Sequence, residues 1–166
     1  FAPETAPTRL TSLREKTELL AEFALEHVHV QRFTPEVAAL SPAAFVEKVL
    51  VGTLNTRWVL VGDDFRFGAK RAGDYAALKA AGEIHGFDVE AMPTVADGGA
   101  RISSSAVRSA LAAGDLRRAK QLLGRAYSIS GRVVHGRKLG RQLGFPTANI
   151  GFEHNRPPLM GIFAVR

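Results

Sequence analysis

The chain has 166 residues, 46% of them apolar, which is enough for one packed domain or two small ones; it has no cysteine, which excludes disulfides, zinc thiolate sites and thiol catalysis. The net charge of +6 lies wholly beyond Gly124, where seven cations meet Glu153 alone, so a neutral N-terminal part precedes a basic C-terminal part. No apolar run reaches bilayer length and the N-terminus lacks the layout of a signal peptide, so a cytoplasmic protein without membrane attachment is expected. A basic surface suits nucleic acid or a phosphorylated small molecule, and the lack of Lys/Arg clusters and of an aromatic recognition motif points away from nucleic acid.

In chain order, Thr11-Ser-Leu-Arg-Glu15 supplies the polar cap and following acid of a helix start, and Leu13, Thr17, Leu20 and Phe23 follow at helical spacing. His27 to Phe33 alternates and predicts a strand. His27 and His29 share one face of it and, with no third ligand, read as a solvated face rather than a metal pair. Ser41-Pro42 caps a second predicted helix through about Leu54, with Phe45 and Val49 inward. Trp58 to Val61 is a wholly apolar strand, the pattern of a parallel sheet covered on both faces. A loop from Gly62 to Gly73, a helix from Asp74 to about Gly86 and a strand from Phe87 to Val95 follow. Helices are predicted from Ser103 to about Ala113 and from Asp115 to Leu123, stopped by Gly114 and Gly124.

Beyond Gly124, Tyr127 to His135 alternates as a strand, Leu159 to Val165 forms another after Pro157-Pro158, and no helical period returns. An α/β part therefore gives way to an all-β part where the charge changes, and the predicted domains are 1–124 and 125–166. Two strands are too few for a stable sheet domain, so the second unit reads as unfinished.

Three constellations carry chemistry. Val61-Gly-Asp-Asp-Phe-Arg-Phe-Gly68 leaves a strand at its C-terminal end, where open α/β sheets bind ligands. There Phe65 and Phe67 beside a carboxylate suit a planar heterocycle, or else are core residues in a charged loop. Arg101-Ile-Ser-Ser-Ser-Ala-Val-Arg108 places three hydroxyls at a helix start with Arg108 one turn inside, an anion site unless one serine simply caps the helix. A serine nucleophile is not expected, because no histidine partner or glycine elbow accompanies it. Gly136, Gly140 and Gly144 stand four residues apart with Arg137, Lys138 and Arg141 between them, and Pro-Thr-Ala-Asn149 follows. The glycines let backbone N–H groups approach an anion, and Thr147 and Asn149 offer neutral oxygens of the kind Mg²⁺ accepts beside phosphates. A basic turn between strands is the plainer reading of that last segment.

Gly62-x-Asp64-Phe-x-Phe-Gly68, Ile102-Ser-Ser-Ser-x-x-Arg108, Leu123-Gly-Arg-x-Tyr127 and Gly136-x-x-x-Gly-Arg-x-x-Gly-Phe-Pro-Thr-Ala-Asn149, in this order and spacing, resemble the prokaryotic bifunctional riboflavin kinase/FMN adenylyltransferase family (FAD synthetase). The resemblance implies a Rossmann-like nucleotidylyltransferase domain followed by part of a kinase domain built on a six-stranded β-barrel. By resemblance, Ser103, Ser104, Ser105 and Arg108 bind ATP phosphates in adenylyl transfer, with Arg108 catalytic, and Asp64, Phe65 and Phe67 hold the flavin. Thr147 and Asn149 match positions contacting Mg²⁺ and ATP, and Gly136, Lys138, Gly140 and Gly144 close over the nucleotide. The implied substrates are riboflavin, FMN and ATP, with FMN and FAD as products; the oligomeric state is not implied.

Ser105 stands where the family usually has threonine, and Ala126 where proline is common. The family's His-x-Gly-His motif and the kinase's catalytic carboxylate are not in the chain, so the resemblance implies an internal piece of a longer enzyme. Two other readings compete: another nucleotidylyltransferase, which leaves the Pro-Thr-Ala-Asn segment unexplained, and a flavin- or nucleotide-binding fragment without activity. A basic nucleic-acid binder is a third, marked by steeply salt-dependent affinity.

Overall fold

The computed structural model describes residues 6–62, 64–137, 139–151 and 157–165. In chain order the elements are α1 (Leu13–Glu22), α2 (Pro35–Ala38), α3 (Pro42–Phe45) running on as a π-helix over Val46–Val51, β1 (Trp58–Gly62), a 3₁₀ turn (Ala69–Arg71), α4 (Tyr75–His85), β2 (Asp88–Met92), β3 (Ala96–Asp97), β4 (Ala100–Arg101), α5 (Ser104–Ala112), α6 (Leu116–Leu123), β5 (Val133–Val134), α7 (Leu139–Gln142) and β6 (Asn149–Ile150). They fall into two compact units, His29–Val95 and Phe1–Val28 with Ala96–Arg166.

In the unit His29–Val95, β1 and β2 pair in parallel, from Trp58 opposite Asp88 to Gly62 opposite Met92, with α4 in the crossover between them. Asp74 starts α4 by accepting the Ala77 N–H at 2.9 Å, and Gly86 stops it at φ +77°, a conformation that costs a side-chain-bearing residue more than glycine. Val46, Phe67, Leu78 and Phe87 form the core, with Val59, Val61 and Val89 packed on it from one sheet face. On the other face Trp58 is 53% exposed and Leu60 43%. The apolar pattern of β1 predicts cover on both faces; among the described residues only one is covered, because α4 and the π-helix both pack on the valine face.

The predicted second helix also differs. Bonds from Gly52 N–H to the Glu47 carbonyl (2.8 Å) and from Leu54 N–H to that of Val49 (2.9 Å) span five residues. This widened turn ends the helix at Val51 instead of Leu54. His27 to Phe33 forms no strand: Val28, Val30 and Phe33 are exposed, and alternation makes a strand only where another strand completes the ladder.

In the other unit, α5 and α6 fold back on each other around Gly114 (φ +72°), burying Val107, Ala110, Leu111, Ala119 and Leu122 against Leu10, Ile102 and Tyr127. Leu111 is fully buried, so Leu111→Ala is expected to cost about 2–4 kcal/mol in urea unfolding through lost burial and the cavity left behind. Ile84→Ala, at a position 78% exposed, is expected to stay within about 0.5 kcal/mol.

Asp97-Gly-Gly-Ala100 closes the β3–β4 hairpin with both glycines at positive φ, the turn whose twist matches paired strands. Of the predicted strand Tyr127 to His135 only Val133 and Val134 pair, antiparallel to Ile150 and Asn149, and Leu159 to Val165 forms none. One two-residue ladder cannot close on itself, so the described residues hold no closed barrel. The short α7 interrupts the region expected to be all-β.

Candidate functional site

Ser103 adopts an extended conformation before α5, and its hydroxyl accepts the Ala106 N–H at 3.2 Å. One serine is therefore committed to capping, while Ser104 and Ser105 stand exposed in the first turn beside backbone N–H groups that have no helical partner. Arg108 is half-buried, and its Nε donates to the Thr8 carbonyl at 2.6 Å. The guanidinium carries four further N–H donors in a planar fork suited to two anionic oxygens.

In the other unit, Phe65 N–H returns to the Gly62 carbonyl (3.0 Å), and Phe67 and Gly73 exchange backbone bonds of 3.0 and 2.9 Å that close the loop. Phe67 is 6% exposed and tilts against Phe45, with ring centroids 5.6 Å apart. The half-buried Phe65 stacks on Phe67 at 5.5 Å and 14°, and Asp64 is exposed. Gly68 sits at φ +72° where an added Cβ would lie 2.7 Å from the Pro42 nitrogen, so both conformation and space require glycine. Lys70 and Arg71 follow at φ +55° and +59°, a left-handed pair costing of order 1 kcal/mol per residue, held in place by the closed loop.

The third constellation is drawn together around its glycines. Gly136 lies against the Asn149 side-chain amide with no room for a methyl group. Gly140 lies against the Phe145 carbonyl, and a Cβ there would be 3.2 Å from Thr147 Cγ2. Phe145 N–H closes onto the Gly140 carbonyl at 2.7 Å, and Gly144 turns the chain at φ +79°. Gly144, Thr147 and Asn149 are exposed, and Lys138 lies outside the described residues. Among the described residues no group of three His, Cys, Asp or Glu side chains could hold a metal ion, and His27 and His29 are exposed.

Glu15 was legible only as a helix-start acid. Its carboxylate accepts from Ser12 N–H (2.7 Å), as its place in the cap predicts, and also from Ser130 N–H (2.7 Å) and hydroxyl (2.8 Å), 115 residues away. It borders a cavity of about 630 Å³ also lined by Leu10, Arg14, Tyr127 and Arg132. Burial pushes the carboxyl pKa up, but the bonds from Ser12 and Ser130 outweigh it and hold the value at about 2. A carboxyl depressed from 4.5 contributes stability in full above pH 4.5, and that contribution is lost as pH falls to about 2. Glu15→Gln is expected to cost about 1–2 kcal/mol at pH 7, the partly exposed site screening the rest, and to flatten the unfolding free energy between pH 4.5 and 2.

A family model of FAD synthetase matches residues 1–106, and one of riboflavin kinase matches residues 123–166. The chain belongs to the FAD synthetase family. It is 49% identical over 165 residues to the bifunctional riboflavin kinase/FMN adenylyltransferase of Escherichia coli (strain K12). Identity to the proteins of the same name from Pseudomonas fluorescens and Haemophilus influenzae is 47% and 43%. These matches take in 99 to 100% of this chain and 53 to 54% of the relatives, so the chain spans about half the length of the curated relatives it matches. A crystal structure named macrolide-efflux protein from Streptococcus pneumoniae superposes with a TM-score of 0.71 at 27% identity, over 90% of this chain and 50% of that one. Within the family frame, Asp64 to Phe67 and Ser103 to Ser105 fall in the FAD synthetase segment, and Gly136 to Asn149 in the riboflavin kinase segment. Arg108 lies two residues past the first segment, on the same helix as Ser104 and Ser105.

Proposed function

We propose that the protein carrying this chain makes FMN from riboflavin and FAD from FMN, each at the expense of ATP. What carries the reading is the succession of an FAD synthetase segment and a riboflavin kinase segment on one chain. The functional division is read near Gly124, at the start of the riboflavin kinase segment and at the change of charge. The parallel β1–α4–β2 crossover supports a Rossmann-like first domain, and the second is read as part of a six-stranded barrel.

In the first reaction the riboflavin 5′-hydroxyl oxygen bonds to the γ-phosphorus of ATP, the bond to the ADP oxygen breaks and the hydroxyl proton leaves. Gly136, Lys138, Gly140 and Gly144 are assigned to the nucleotide. Thr147 and Asn149 suit Mg²⁺: both are exposed and neutral, the donor type left for a cation whose charge is met by substrate phosphates. Bound there, Mg²⁺ would offset the charge that builds on the phosphate oxygens.

In the second reaction an FMN phosphate oxygen bonds to the α-phosphorus of a second ATP, and pyrophosphate leaves. The nucleophile is already anionic, so alignment and charge stabilisation suffice. Arg108, Ser104, Ser105 and the free N–H groups at the start of α5 receive the phosphates, with Ser103 shaping that start as its cap. Asp64 and Phe65 hold the isoalloxazine, and the buried Phe67 backs Phe65. The reading places the protein in the cytoplasm, with small-molecule partners only.

The test is a titration with FMN and ATP followed by the fluorescence change on FAD formation, beside a riboflavin and ATP assay for FMN. Turnover in both supports the reading; turnover in neither, without binding, overturns it. A second reading, a flavin- and nucleotide-binding piece that does not turn over, is favoured by the half-length match to the relatives, and binding without turnover would select it.

A further inference from the structure

We propose that Tyr127 is a positioning residue for Arg108, its hydroxyl tying down the strap of chain whose carbonyl orients the guanidinium. The inference rests on the reading of Arg108 as a phosphate contact in adenylyl transfer. Residues 6–10 form no helix or strand, yet two bonds from distant parts of the chain hold them. Tyr127 Oη donates to the Leu10 carbonyl at 3.3 Å across 117 residues, and Arg108 Nε donates to the Thr8 carbonyl at 2.6 Å across 100.

The Leu10 and Tyr127 side chains pack on the same cluster of Val107, Ala110, Leu111, Ala119 and Leu122, which includes the residue preceding Arg108. Helix, strap and tyrosine thus form one closed arrangement. An irregular strap offers a fixed acceptor only if it is itself fixed, and two carbonyls two residues apart move together. Burial pushes the Tyr127 phenol upward, and the negative charge of Glu15 adds to this, so the hydroxyl remains a donor at neutral pH. Small misplacements of a phosphate-binding guanidinium weaken binding far out of proportion to the shift. Tyr127 lies in the riboflavin kinase segment, so one segment would steady a group serving the other's reaction.

Tyr127→Phe keeps the ring and its packing and removes only the donor. Calorimetric titration of the chain with MgATP and with inorganic pyrophosphate is the test, on the parent, Tyr127→Phe, Arg108→Ala and the double variant. Loss of the charged contact in Arg108→Ala is expected to weaken binding roughly 10- to 100-fold, and loss of the supporting bond in Tyr127→Phe about 3- to 10-fold. The double variant should bind no more weakly than Arg108→Ala, because the tyrosine acts only through the arginine. In ¹⁵N NMR the Arg108 Nε–H resonance should move and exchange faster with solvent in Tyr127→Phe. Parental affinity in Tyr127→Phe, an equal loss in the presence and absence of Arg108, or an unmoved Nε–H resonance each overturns the inference and leaves the reading of Arg108 standing. An Arg108→Ala variant that binds like the parent overturns that reading and the inference with it.

Discussion

Arg108→Ala is expected to lower FAD formation from FMN about 100- to 1,000-fold while leaving FMN formation from riboflavin within about twofold of the parent. The reacting phosphates gain charge on their outer oxygens as pyrophosphate departs. A guanidinium anchored through Nε to the Thr8 carbonyl meets that charge without having to reorganise. The serines cannot replace it: Ser103 is committed to the Ala106 N–H, and the other two hydroxyls are neutral. Loss of the Nε bond is itself expected to cost about 1 kcal/mol of stability, so the assays belong well below the thermal midpoint. Separate measurements of kcat and KM for ATP in the two reactions check the prediction.

Asn149→Ala is expected to do the reverse, reducing FMN formation about 100-fold with FAD formation from supplied FMN close to the parent. The Asn149 amide lies directly against Gly136, so truncation removes both the oxygen proposed for the cation and the side chain packed against the glycine loop. Thr147→Ala should give a smaller loss in the same reaction, since it leaves the Asn149 amide in place against Gly136. Both variants sit at exposed positions, which keeps the cost to folding within about 0.5 kcal/mol.

What the sequence made legible was local. The Ser12–Glu15 cap, the Asp74, Ser103 and Asp115 helix starts and the Gly86 and Gly124 stops all stand where short-range patterns put them, because a cap needs only residues within one turn. The Asp97-Gly-Gly-Ala100 hairpin is equally local but was not read from the sequence, because its two-residue strands are too short to show alternation. Alternation misled at His27 to Phe33 and at Tyr127 to His135, since a pattern of side chains does not state whether a second strand will meet it.

The three constellations were legible as motifs, but not their internal division of labour. Phe67 belongs to the core and Phe65 stands over it, a difference no spacing within Phe-Arg-Phe expresses. The contacts Glu15–Ser130, Arg108–Thr8 and Tyr127–Leu10 join residues 100 or more positions apart and left no trace in any local window.

If two separate sites act in turn on one flavin, the two crippled variants should complement each other when mixed. Given riboflavin and MgATP, the Arg108→Ala protein alone should accumulate FMN, and the Asn149→Ala protein alone should leave riboflavin nearly untouched. Combined, they should make FAD, because FMN released by the first is a substrate for the second. A mixture that forms no more FAD than the two variants separately, with each variant defective in both reactions, would show that the two reactions do not run at separate sites.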